Sequence, residues 1–199
     1  MAPHNLLLKS PTGRLLLAPP SEANDEENAR IRCHPTTRKY LRYLAENITK
    51  EDARELREER LKDPSLLEFH LYKIDKDGGT QFVGGTMIFH INEEHNSCEV
   101  GIIVGPEAHG GGIATDAFLT MLTYVFEERK FHRATFETGA DNLAMRGWLE
   151  KVAGARLEAQ RIGAWKDPLV GYSDVTGYAI LDTEWRERVK GNLEKRLGL

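Results

Sequence analysis

The chain has 199 residues, a formal net charge of −4, 29% charged residues and two cysteines. That length suits a single domain, 1–199, with a substantial core, and the mild negative charge argues against general nucleic-acid binding. Cys33 and Cys98 have no metal-ligand or redox spacing, so a metal-free protein in a reduced, cytoplasmic setting is expected; the apolar runs at 6–8 and 15–18 are too short for a signal-peptide core or a membrane span.

Residues 1–11 read as an arm, either flexible or paired at a sheet edge. The run 14–19 is a short strand closed by Pro19-Pro20. Ser21 caps a helix that ends before Pro35. A second helical stretch is expected from Thr36 through Tyr40, Leu41, Tyr43 and Leu44. Thr49 opens a third, densely charged helix over 50–62, stopped by Asp63-Pro64. Residues 66–74 alternate as a strand, 75–79 form a hairpin turn, and 81–91 return, with Gly84-Gly85 marking a bulge or a close approach. A further strand covers 98–104. After a helix over 114–128 come a strand at 133–138, a helix at 143–152 capped by Asn142, strands at 156–162 and 172–181, and a final helix at 184–197 capped by Thr183. Trp165 falls in the loop between the last two strands. The order predicts a mixed α/β sheet flanked by helices.

The organising stretch is Val104-Gly105-Pro106-Glu107-Ala108-His109-Gly110-Gly111-Gly112-Ile113-Ala114-Thr115. It reads as a strand end, a glycine turn and a helix start. Three glycines strip away side chains, so the N–H groups of residues 110–115 point outward at the positive end of a helix dipole, as an anion site suited to phosphate or pyrophosphate. No Gly-Lys-Ser/Thr follows, as a P-loop requires. The turn also sits after several strands rather than after the first strand of a βαβ unit, unlike a dinucleotide fold. A pyrophosphate held by backbone, without metal, is the remaining reading. A simple nucleotide-binding protein is a further alternative, disfavoured by the missing lysine.

These residues resemble the acetyl-CoA signature of the GCN5-related N-acetyltransferases (GNAT): Arg or Gln, two residues, Gly, any residue, then Gly or Ala. His109, Gly112 and Ala114 occupy those positions, with His109 departing from Arg or Gln. The likeness extends over most of the chain. Asp174, the run Tyr178-Ala179-Ile180-Leu181 and Glu184-Trp185 resemble the C-terminal pattern of the RimJ/RimL-like branch, which acetylates N-terminal amines of ribosomal proteins and has relatives acting on polyamines, aminoglycosides or amino acids. The resemblance implies a GNAT fold, a mixed, mostly antiparallel sheet with splayed middle strands. It also implies acetyl-CoA as co-substrate, held by Ile102, Ile103 and Val104 along the strand, by His109, Gly110, Gly111, Gly112, Ile113, Ala114 and Thr115 at the turn, and by Asn142.

An alkylammonium titrates near 10 and must lose a proton before it attacks a thioester. Glu99 is the first candidate base, because alternation puts it on one face with Gly101 and Ile103, and Gly101 leaves room beside the carboxylate. Glu137, His90 and His109 are runners-up. The Asn-x-x-Ser pattern of the branch would place its acid at Met145, which cannot donate a proton; the resemblance, in which a tyrosine or serine is usual in this role, makes Tyr172 and Tyr178 candidates for protonating the thiolate, with a water or unassisted departure as the alternatives. Trp165 lies where members of the family often contact the acceptor, so the resemblance makes it a candidate wall for the acceptor. The activity read from these features is acetyl transfer from acetyl-CoA to a primary amine, on a small molecule or a peptide N-terminus, by direct attack in a ternary complex. The rival is a catalytically inactive acyl-CoA-binding sensor or scaffold. No nucleic acid or membrane partner is expected, and the protein is read as a monomer or homodimer.

Overall fold

The structure is a computed structural model that describes residues 4–199. Eight strands make one sheet in the order β1-β2-β3-β4-β5-β6-β8-β7. They are β1 Leu8–Lys9, β2 Leu15–Ala18, β3 Leu67–Ile74, β4 Thr80–Asn92, β5 Ser97–Val104, β6 Arg133–Gly139, β7 Arg156–Asp167 and β8 Gly171–Leu181. The helices are α1 Asp25–Cys33, α2 Pro35–Arg38, α3 Lys50–Arg60, α4 Ile113–Thr123, α5 Leu143–Gly147, α6 Asp182–Glu184 and α7 Lys190–Leu197; α4, α5 and α6 each run on into a π-helical turn. Among the described residues no helix is long and apolar enough to cross a membrane.

Alternation along the strands separates two faces. Leu17, Leu71, Phe69, Ile88, Cys98 and Val100 are buried against Phe118, Leu122 and Val125 of the α4 segment and Leu193 of α7. Burying a Leu, Phe or Val side chain contributes roughly 1.5–3 kcal/mol, so this layer fixes the strand register. The opposite face carries Glu68, Met87, Gly101 and Phe89, opposed through the β3–β4 and β4–β5 ladders, and lies toward α1 and α3.

The feature that positions the site is a break in the ladder. β5 and β6 run parallel for three residue pairs, Ser97 with Arg133, Cys98 with Ala134 and Glu99 with Thr135. Beyond Glu99, β5 remains with β4 as far as Val104, while β6 remains with β8 as far as Gly139. The middle of the sheet therefore splays. Gly84 explains why β4 can follow β5 to its end: its φ is +141°, and a Cβ there would lie 2.1 Å from the Ile103 carbonyl oxygen, so only glycine fits.

One open alternative is decided and three expectations change. The arm is paired at its end, Leu8 with Leu17 and Lys9 with Leu16; residues 1–3 of the arm lie outside the described residues. The second helix stops at Arg38, and 40–44 is a turn in which the Arg38 Nε donates to the Leu44 carbonyl at 3.2 Å, engaging an acceptor that a continuing helix would use. The last helix begins at Asp182 and is capped by Glu184, which accepts from the Leu181 N–H at 2.9 Å, rather than by Thr183. β7 extends to Asp167, so Trp165 stands on a strand opposite Ser173 and not in a loop; a register shift between Arg161 and Trp165, with Gly163 at φ +58°, absorbs the irregularity that interrupts the pattern.

Candidate active site

Gly110 and Gly112 adopt φ of +78° and +79°, the left-handed region in which a Cβ is costly. The space where a Gly110 Cβ would stand is open. The first bond of α4 runs from the Asp116 N–H to the Gly112 carbonyl at 3.0 Å, and among the described residues no protein acceptor takes the N–H groups of residues 110–115. A pyrophosphate fits this cradle: open N–H donors, no intervening side chains, and the positive end of an eleven-residue helix. The helix start is braced from behind, since the Trp148 indole N–H donates to the Thr115 hydroxyl at 3.0 Å and its ring lies 4.6 Å from Phe118.

His109 turns away from the cradle. Its Nε2 donates to the Val104 carbonyl at 2.9 Å, tying the ring to the strand end. Arg14, a residue that the sequence reading did not single out, comes close instead: one of its terminal nitrogens lies 3.7 Å from where a Gly112 Cβ would be. The Arg14 Nε donates to Thr12, and the Thr12 hydroxyl donates to the carboxylate of Asp116, which is fully buried in the first turns of α4. Arg14, His109 and Gly111 line one cavity of about 740 Å³, with Lys73, Lys76 and Phe82 across it. Nothing in the spacing of Arg14, almost a hundred residues before the turn, signals this. Only the sheet brings them together.

Glu99 is the last β5 residue paired with β6, at the mouth of the splay. It shares a face with Gly101 and Ile103, as alternation requires. The room beside Gly101 is filled, however: a Cβ there would meet the Phe89 ring at 3.1 Å, so Phe89 packs over the glycine and walls the carboxylate. The Glu99 side chain is 16% exposed, and the His90 Nδ1 lies 3.2 Å from Oε2. Burial pushes the carboxyl above its ordinary range, the His90 hydrogen bond opposes that rise, and the nearby Glu137 charge adds to it. A raised carboxyl is a stronger base. Glu137 itself is held by Arg161 at 2.5 Å. The Cys98 thiol is pushed up to about 12 by burial, which leaves it inert as a nucleophile.

The two tyrosines part company. Tyr178 is 2% exposed, pairs with Phe136 on the sheet face away from Glu99, and donates to Glu150 at 2.6 Å while accepting from the Arg146 Nε at 3.3 Å. Tyr172 lies beyond the last β6–β8 pair, at Val175, on the projecting hairpin and is exposed. Asn142 uses both ends of its amide within the protein, accepting from the Met145 N–H at 3.2 Å and donating to Thr138 at 3.0 Å. Trp165 meets Tyr43 edge-on at 5.4 Å, so the projecting hairpin closes onto the turn after α2. No diagnostic pattern in the sequence singles out Tyr43 of that turn.

Comparison with known proteins agrees with this geometry. A family model described as Acetyltransferase (GNAT) domain matches residues 14–154. Among similar solved structures are a GCN5-related N-acetyltransferase from Brucella melitensis (20% identity, TM-score 0.79, covering 97% of this chain and 86% of that one) and an acetyltransferase of the GNAT family from Bacillus anthracis (23%, 0.73, 89% and 99%). A third is a spermidine N-acetyltransferase from Vibrio cholerae in complex with CoA and spermine (20%, 0.76, 87% and 99%). At these identities the structures attest the fold. No curated protein matches the sequence significantly.

Proposed function

Because the chain belongs to the GNAT acetyltransferase family, and is thereby an acyltransferase, we propose that it moves an acetyl group from acetyl-CoA to a primary amine by direct attack in a ternary complex. The observation that carries this reading is the splay: β5 leaves β6 after Glu99 and runs straight into a glycine turn whose N–H groups have no protein partner among the described residues. The CoA and spermine of the Vibrio structure support acetyl-CoA and a small-molecule amine as the two substrates. We read the chain as one cytoplasmic domain of the RimJ/RimL-like branch, on its C-terminal pattern and its two free cysteines.

In this reading residues 110–115 hold the pyrophosphate, and Arg14 supplies the side-chain charge, since the His109 ring is tied to the Val104 carbonyl. The β5 edge from Ile102 to Val104 pairs with the pantetheine amides like an added strand, and a backbone N–H near its end polarises the thioester carbonyl. Glu99 takes a proton from the alkylammonium, directly or through one water, and the freed nitrogen attacks the carbonyl carbon. As the carbon–nitrogen bond forms, the carbonyl electron pair moves to oxygen; the oxyanion then re-forms the carbonyl as the carbon–sulfur bond breaks, the nitrogen gives its second proton to solvent, and the thiolate leaves. The Tyr178 hydroxyl is held in its hydrogen bond to Glu150 and Tyr172 is remote on the hairpin, so the thiolate takes its proton from solvent.

The test is thiol release from acetyl-CoA with amino acids, polyamines, aminoglycosides and peptides of varied N-termini. Release that depends on one amine class supports the reading. No release with any amine, alongside CoA binding in calorimetry, would return the protein to the sensor class.

A further inference from the structure

Seven arginines lie between Asp25 and Arg60. Six of them hold a carboxylate: Arg30 with Glu27, Arg38 with Glu46, Arg42 with Asp167, Arg54 with Glu51, Arg57 with Asp25 and Arg60 with Glu68. The seventh, Arg32 on α1, is the most enclosed, at 8% exposure, and pairs with none among the described residues. Its Nε is fully buried without a hydrogen-bond acceptor. A buried guanidinium without an anion is costly, and proteins rarely keep one unless it has a partner to meet.

The surroundings sharpen the deficit. The Arg60 and Glu68 charges both reach Arg32, but Glu68 is committed to Arg60 at 2.6 Å. Two cations thus share one carboxylate, leaving a single positive charge uncompensated. This spot belongs to the same side of the molecule as Glu99. Glu68 faces Met87, Met87 faces Gly101, and Glu99 follows two residues along β5 on that face. The Tyr43 hydroxyl lies within reach of the charges of Arg32, Arg60 and Glu99 together, and its ring closes on Trp165.

We propose that the acceptor is an amine that carries its own carboxylate, an amino acid in the broad sense, whose carboxylate is held by Arg32 while its amine faces Glu99. This rests on the acetyl-transfer reading and deepens it. The carboxylate supplies the missing counter-charge, and the uncompensated Arg32 charge repels the second ammonium of a polyamine. Arg32 is a binding residue for specificity and takes no part in proton transfer.

The experiment compares kcat/KM for α- and ω-amino acids with their carboxamides, and with diamines and polyamines, in the wild-type enzyme, Arg32→Gln and Arg32→Lys. Thermal melting and CoA calorimetry report whether each variant is folded. The wild type is expected to prefer an acid over its amide by about 10-fold or more, the scale of one charge-assisted pair. Arg32→Gln should bring the acid to the level of the amide through KM, and Arg32→Lys should restore part of the difference. Equal use of acid and amide, a preference for polyamines, or an equal loss on both in a folded Arg32→Gln would overturn the inference and leave the acetyl-transfer reading standing. Transfer to no amine at all would overturn that reading, and the inference with it.

Discussion

The two halves of the proposed site are built from different materials. The cofactor half is backbone: glycines at φ +78° and +79°, open N–H groups, and a strand edge released by the splay. The acceptor half is side chain: Glu99 from β5, Tyr43 from the turn after α2, Trp165 from the β7–β8 hairpin and Arg32 from α1. A backbone site is local in sequence and indifferent to most substitutions except at its glycines. A side-chain site is assembled across distant elements, so single changes there alter specificity without disturbing the grip on CoA.

Substitutions on the two halves should therefore separate rate from cofactor affinity. The largest effect is expected at Glu99→Gln, with kcat falling about 10²- to 10⁴-fold and the Kd for CoA unchanged in calorimetry. Since the Glu99 carboxyl is raised and must be ionised to act, kcat/KM of the wild type should fall as pH drops through a limb above the ordinary carboxylate range, and the variant should lack that limb. A loss of only a few fold would break the contrast. On the other half, Gly112→Val puts a side chain at φ +79° against Arg14 and Leu197; CoA affinity should drop about 10- to 100-fold, since the strain is of order 1–2 kcal/mol before any lost phosphate contact. Arg14→Gln should weaken CoA about 10-fold, in line with one charged hydrogen bond, and do so less at high salt. His109→Ala should change CoA affinity by under about 3-fold, because its ring serves the Val104 carbonyl and forgoes only about 0.5–1.5 kcal/mol of hydrogen bonding there.

How much of this was legible follows from the same contrast. The glycine turn, the alternation that orients Glu99 and the succession of strands and helices along the chain could be read because each depends on neighbours in sequence; the placing of β8 between β6 and β7 could not. Arg14 could not, since only pairing of β2 with β3 brings it over Gly112. Trp165 was misplaced because an irregular register at Gly163 hides the strand period. The room imagined beside Gly101 was absent because Phe89, the cross-strand partner of Glu99, leans over it. Tyr178 was nominated by residue type, and its hydroxyl turned out to be engaged by Glu150 and Arg146 from the α5 segment.

A smaller effect lies outside the site and probes stability. His70 is buried, and burial lowers it from 6.5 to about 4, while it accepts from Asn24 at 3.0 Å. The unfolded chain binds a proton that the native state refuses. His70 therefore costs nothing above pH ~6.5, and stability is lost as pH falls from there toward about 4, by up to roughly 3 kcal/mol. Urea titrations over that range should show a shallower decline for His70→Gln.

The most direct test of the central claim is the initial-rate pattern with acetyl-CoA and the best amine varied together. Direct attack in a ternary complex predicts double-reciprocal lines that intersect, with no acetyl group retained on the protein when the amine is omitted. Parallel lines with an isolable acetyl-enzyme would contradict it, and would require a nucleophile that the buried Cys98 cannot provide.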